Sequence, residues 1–275
     1  LATIIAAITD THIGSTVGLA PPRYTIHTGR RDEAVTVEQN AYQRWVYACF
    51  TDFTDYLRIR AGIRGKHRKS RLIILHLGDI IDGDHHNTPQ IMPEIEDQQA
   101  AAVALLDPLA RMADQMIFAY GTDAHTGGAG AFENAVVGEL GNNCMIDWYH
   151  SLDIDGVTFD IAHHGRAGRR DWSSSAAGYA VEVALEYYKQ GLQPPQYILR
   201  GHNHVIDDSG GKLDYTRAIA LPCWQGRTSF AHKVKGGATA PNIGGIIFDT
   251  SQPDYVDFSR ARYTAPQETR GYKTI

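Results

Sequence analysis

The stretch Leu72-Ile73-Ile74-Leu75-His76-Leu77-Gly78-Asp79-Ile80-Ile81-Asp82 decides how the rest of the chain is read. Residues 72–77 are almost wholly apolar, the pattern of a strand covered on both faces, and a glycine and a carboxylate follow at once. Four other strand-like runs end the same way. Residues 3–9 lead into Asp10-Thr11-His12, and 116–120 into Gly121-Thr122-Asp123-Ala124-His125. Residues 157–162 lead into His163-His164-Gly165, and 197–199 into Gly201-His202-Asn203-His204. An α/β fold carries its chemistry in the loops beyond the carboxyl ends of its strands. Five such ends bearing Asp and His can therefore aim at one point.

Working outward, strand-like runs alternate with helical periodicity, which predicts a layered α/β architecture. Helices are expected at 38–60, where Tyr42, Trp45, Cys49, Phe53 and Leu57 recur, at 94–114, and at 175–190 before Gly191 and the Pro194-Pro195 pair. Pro108 is expected to kink the second or open a new turn. Beyond Gly210 short strands are expected at 213–221, 244–249 and 255–263, forming a second sheet packed on the first. Long or glycine-rich loops fall at 14–36, 126–130, 209–211 and 235–241. The first follows Asp10 and His12 directly and is the candidate for shaping a substrate pocket.

A chain of 275 residues can bury its core as one domain, 1–275. Its 43% hydrophobic and 21% charged residues are those of an ordinary globular protein. A net charge of −5 gives no general basic field, which disfavours bulk capture of duplex nucleic acid. Cys49, Cys144 and Cys223 form no Cys-x-x-Cys site and read as reduced thiols of a cytoplasmic protein. The opening LATIIAAI is too short to span a bilayer and reads as a first strand, and no other run reaches that length, so no membrane role is expected.

On an extended strand, positions i and i+2 share a side, so Asp10 with His12, and His202 with His204, can each face a cation. Asp79 has two carboxylate oxygens and can bridge two cations, while Asp82 orients a ligand or holds the turn. Of His163 and His164, one can bind metal and the other pack or meet substrate, and strand alternation does not choose between them. Nitrogen and oxygen donors without thiolate suit Mn²⁺, Zn²⁺, Fe or Co²⁺ better than a closed structural zinc site.

The ordered series Asp-x-His, Gly-Asp-x-x-Asp, a Gly-x-x motif, a His and Gly-His-x-His resembles the calcineurin-like metallophosphoesterase superfamily over residues 4–204. Within it, the run Gly-Asp-Ile-Ile-Asp-Gly-Asp-His resembles phage and prophage members. The resemblance implies a four-layer α-β-β-α sandwich of two mixed sheets flanked by helices. It also implies two divalent transition-metal ions and hydrolysis of a phosphoester by metal-bound hydroxide. Carried over by position, it implies that Asp10, His12 and His204 hold one ion, that Asp79 bridges, and that His163 and His202 hold the second. His163 is preferred because it stands two residues before Gly165, which leaves His164 for substrate. The third motif departs from the family's Gly-Asn-His: Thr122 takes the Asn position and Asp123 the His position. Either Asp123 or His125 can supply the missing ligand. The expectation adopted is Asp123 as ligand and His125 as the acid, working beside Asp79.

Arg166, followed by Arg169 and Arg170, is the candidate phosphate clamp, since guanidinium groups bind phosphate bidentately. Gly83 after Asp82 and Tyr120 before Gly121 do not fit the protein serine/threonine phosphatases of the superfamily. The expected substrate is a phosphodiester, either a nucleotide or a single-stranded nucleic-acid end, with Tyr24, Trp172, Tyr187, Tyr188 and Trp224 as candidate stacking residues. The alternatives are a phosphomonoesterase of the same fold and a catalytically silent binding scaffold.

Overall fold

The structure, a computed structural model, describes residues 2–27, 34–65, 67–84, 89–165, 176–229 and 240–265. Its strands are β1 (Thr3–Ile8), β2 (Arg23–His27), β3 (Ala34–Glu38), β4 (Arg71–His76), β5 (Gln115–Ala119), β6 (Cys144–Asp147) and β7 (His150–Ile154). They continue with β8 (Val157–Ala162), β9 (Tyr197–Arg200), β10 (Asp207–Asp208), β11 (Arg217–Ala220), β12 (Ile246–Asp249) and β13 (Val256–Asp257). The helices are α1 (Ala41–Arg60), α2 (Ile95–Met112), α3 (Asp123–Thr126), α4 (Ala131–Leu140) and α5 (Ala176–Lys189).

One sheet has the order β13-β12-β1-β4-β5-β6 and the other β10-β11-β9-β8-β7, while β2 and β3 form a separate hairpin. The parallel pairs β1·β4 and β4·β5 explain why these three strands read as near-continuous apolar runs, and β5·β6 and β8·β9 are parallel as well. Period-two alternation divides their side chains between two layers. Ile5, Ala7, Ile73, Leu75 and Ile117 join Phe159, Ile161, Tyr197 and Leu199 in a core between the sheets. Ile4, Ala6, Ile8, Leu72, Ile74 and Phe118 face outward under α1, α2 and α4, with Phe53, Leu57, Leu106 and Val136. On the far side, Ala176 and Ala180 of α5 pack on Ile198 and Ala218. This is the four-layer α-β-β-α arrangement the resemblance implies.

Several expectations are corrected. The C-terminal strands make no sheet of their own: β12 pairs antiparallel with β1 and extends the first sheet, and β11 pairs parallel with β9 in the second. The first helix starts at Ala41 rather than 38, because Asn40 caps it: Gln43 N donates to Asn40 Oδ1 at 2.9 Å, and Asn40 N donates to Gln43 Oε1 at 3.1 Å. Helix α2 runs through Pro108 without a break. The loop 14–36 contains most of the β2–β3 hairpin, tied to α2 where His27 N donates to Asp97 Oδ2 at 2.7 Å. No helix among the described residues is long and apolar enough to cross a membrane.

Candidate metal centre

Asp10 and His12 follow β1, Asp79 follows β4 and Thr122 follows β5, all on the first sheet. His163 follows β8, and His202 and His204 follow β9 on the second. The candidate centre therefore lies where the carboxyl ends of the two sheets meet. The loops interlock through their backbones: Asp10 N donates to Gly78 O, His12 N to Asp79 O, and Gly201 N to His163 O. Such close approach needs glycine. A Cβ on Gly121 would overlap the Asp79 carboxylate, and one on Gly78, at φ +85°, would meet Gly121.

The backbone differs from the expected strand geometry. Asp10, His12, Asp79, His202 and His204 all take positive φ, between +41° and +72°, and supply five of the seven non-glycine residues described in that region. Left-handed backbone at non-glycine residues is uncommon and tends to gather at functional sites. These side chains converge because each sits on a sharp turn past its strand, and not by i, i+2 alternation.

Asp10 and Asp79 are essentially fully buried. Among the described residues only imidazoles form ion pairs with them. His204 Nε2 lies 3.1 Å and His12 Nε2 3.6 Å from Asp10 Oδ1. His163 Nε2 lies 3.1 Å, His12 Nε2 3.7 Å and His125 Nε2 3.8 Å from Asp79 Oδ2. His163 Nδ1 donates to Leu77 O at 2.5 Å, which fixes the ring with Nε2 toward Asp79. His12 Nδ1 is buried without a hydrogen bond, 3.4 Å from Asp82 Oδ1, and its Nε2 approaches His204 Nε2 to 3.3 Å.

Burial opposes ionisation of Asp79, but His163 and His125 outweigh it and hold the carboxyl below its ordinary range. Burial likewise opposes the charge on Asp10, and His204 and His12 overcome it. Burial also works against protonation of His12 and His163. The carboxylates beside them win and raise both to about 9. His202 goes the other way, to about 4, through desolvation and the neighbouring His163.

Two buried carboxylates ringed by imidazole nitrogens, some of them close to one another, form a donor set that a divalent cation fits. Donor atoms of Asp10, His12 and His204 lie within 4.8 Å of one another, as do those of Asp10, Asp79 and His163. The same holds for His163, His164 and His202, and for His12, Asp82 and His125.

Of the residues expected from sequence, the fold gathers Asp10, His12, Asp79, His125, His163, His164, His202 and His204. It does not gather Asp123, which is exposed and belongs to none of these groups. Residues 123–126 form a turn of helix. At about 100° per residue, positions 123 and 125 point to opposite sides. His125 is buried, its Nδ1 donating to Asp82 O at 2.6 Å. Thr122, at the Asn position of the third motif, takes the place in space: its N donates to Asp79 Oδ1 at 2.6 Å. Its Oγ1 lies 3.3 Å from His163 Nε2 and 3.2 Å from His202 Nδ1. Arg166, Arg169, Arg170 and Trp172 lie outside the described residues.

Sequence reasoning missed Glu133, whose buried carboxylate accepts from Ile80 N and Gly121 N, both at 2.8 Å, and so ties two ligand loops together. It also missed Trp148, which stands one residue beyond β6 and is 49% exposed. The expected stacking residues Trp224 and Tyr24 are buried instead, and Tyr187 donates to Asp160.

No family model matches the chain, and no curated protein matches it. Among solved structures it is similar to a novel archaeal phosphodiesterase, with 15% identity over 92% of this chain and 97% of the other and a TM-score of 0.47. It is also similar to a conserved protein of Streptococcus pneumoniae TIGR4, a predicted phosphoesterase, with 10% identity over 90% and 83% of the two chains and a TM-score of 0.37.

Proposed function

We propose that this protein is a dinuclear metal-dependent phosphoesterase acting on phosphodiesters of nucleotides or nucleic-acid ends. The observation that carries the reading is the pair of buried carboxylates, Asp10 and Asp79, faced by imidazoles from both sheets on left-handed backbone. Asp10, His12 and His204 would hold one ion, Asp79 would bridge, and His163 and His202 would hold the second. When bound, two such ions polarise a phosphoryl group and lower the pKa of a water between them.

The chain's own residues do the rest. Leu77 O and Asp10 Oδ2 fix the second-sheet loops, the first by accepting from His163 Nδ1 and the second from His202 N at 2.9 Å. Asp82 faces Nδ1 of His12 and so orients the ligand whose Nε2 looks into the centre. His125 Nδ1 is committed to Asp82 O, which leaves Nε2 beside Asp79 as the place to hold a proton for a departing alkoxide.

The diester and nucleotide preference is supported by the rim. Tyr120 N donates to Asp147 O at 3.0 Å, so Trp148 stands level with the residues leading into Thr122. Its ring lies 4.5 Å from that of Tyr120, and Tyr149 beside it is also exposed. An exposed tryptophan on this edge can stack a base.

Activity on a bis-aryl and a mono-aryl phosphate, before and after chelation and with Mn²⁺, Zn²⁺ or Co²⁺ restored, tests the reading. Faster diester turnover that needs the metal is expected. The reverse order indicates a monoesterase, and no turnover with any metal removes the enzymatic reading. Trp148→Ala should raise KM about tenfold for a thymidine aryl phosphodiester while sparing an ethyl aryl one.

A further inference from the structure

The departure in the third motif leaves the second-ion side short of a strong donor. Thr122 Oγ1 is close to Asp79, His163 and His202, but it is a neutral hydroxyl, and Asp123 stands outside the group. His164 lies among the same donors. Its ring centroid is 4.8 Å from that of His163 and 4.5 Å from that of His202, both edge-on. Donor nitrogens of all three lie within 4.8 Å of one another. Three nitrogens at about 2.0–2.1 Å from one cation stand roughly 3.3 Å apart. His164 is exposed, so a χ rotation can bring its nitrogen to that spacing.

Resting on the two-ion reading above, the geometry points to His164 as a ligand of the second ion, in place of the missing asparagine. The two ions then differ in kind. The first has two imidazoles and two carboxylates, whereas the second has three imidazoles and the bridging Asp79. A nitrogen-rich set favours Zn²⁺, Co²⁺ or Ni²⁺ over Mn²⁺. A histidine that only touched substrate, as read from the sequence, would move KM and leave metal binding unchanged.

The test is equilibrium dialysis of chelator-stripped protein against Co²⁺, read by elemental analysis and by the visible Co²⁺ spectrum. The wild type should bind two ions per chain. His164→Ala should keep one and weaken the other at least about tenfold, with a changed spectrum, and His164→Asp should restore part of the loss by returning a donor. His202→Ala serves as the positive control for loss of the second ion, and circular dichroism confirms that each variant folds. Two ions bound by His164→Ala at wild-type affinity, with an unchanged spectrum, would overturn the His164 assignment and leave the two-ion reading standing. A wild type that binds one ion or none would overturn both.

Discussion

Strands β8 and β9 carry two buried ionic clusters only a few residues apart, and they are built on opposite principles. The inner one joins Asp160 and Arg200. Arg200 Nη2 donates to Asp160 Oδ1 at 2.6 Å, and the hydroxyls of Tyr149 and Tyr187 donate to Oδ2 at 2.9 and 3.0 Å. The remaining guanidinium nitrogens reach Tyr179 and the carbonyls of Asp160 and Leu199. Charge is balanced, the donors are used, and neither residue has positive φ. The cluster at the strand ends centres on two carboxylates whose ion-pair partners among the described residues are all imidazoles, with a His12 Nδ1 that makes no hydrogen bond and five left-handed backbones. A self-satisfied pair holds strands together. A strained set of convergent donors is what a cation would complete.

The most severe way to break this contrast is Asp79→Asn. Loss of the bridging carboxylate should reduce turnover to background and cut metal content below two ions per chain, while circular dichroism stays native. Full turnover in this variant would end the claim that the end cluster is the reacting one.

His125→Ala should slow alkyl esters by about 10²–10⁴-fold and aryl esters far less, with both ions retained. Equal loss on both ester types, or loss of an ion, would move His125 from proton donor to ligand.

The inner cluster should respond in stability instead. Arg200→Met strands a buried carboxylate and should cost about 3–5 kcal/mol in denaturant unfolding. The double change Asp160→Leu with Arg200→Met should recover much of that, because both charges are gone. A single variant as stable as wild type would remove the distinction.

The smallest expected effect is in pH. In metal-free protein His12 and His163, raised to about 9, stabilise the fold fully below their ordinary value of 6.5. That contribution is lost as pH rises through about 9, so Tm should fall by several degrees from pH 6.5 to 9. Metal-loaded protein, with both rings neutral and ligated, should lack this fall. Identical pH profiles with and without metal would argue against ligation by these two residues.

Much of this was legible in the sequence because its physics is local. Strands β1, β4, β5 and β9 are apolar on consecutive positions, β8 on alternate ones, and the ligands follow within a few residues. Strand β6 alternates half-buried with exposed residues, and β3 is mostly exposed, so neither leaves a strong hydrophobic trace. Partner choice for the C-terminal strands is a long-range matter, and no local pattern assigns β12 to β1. In the site, residue types and spacing identified the donors, but the positive φ values that aim them do not follow from periodicity. In the third motif, the single helical turn at Asp123–Thr126 leaves Asp123 exposed and His125 buried, and no periodicity in so short a stretch signals that turn. Trp148 gave one usable signal: a tryptophan just past a strand end, on the same edge as the ligands.

On the proposed reading the end cluster is a two-cation centre bridged by Asp79. Anomalous scattering from crystals of the metal-loaded protein, collected across the absorption edge of the added ion, tests it most directly. Two peaks are expected roughly 3.5–4 Å apart, both in contact with Asp79, one flanked by Asp10, His12 and His204 and the other by His163 and His202. A single peak away from Asp79, or none at the cluster in fully loaded protein, would contradict it.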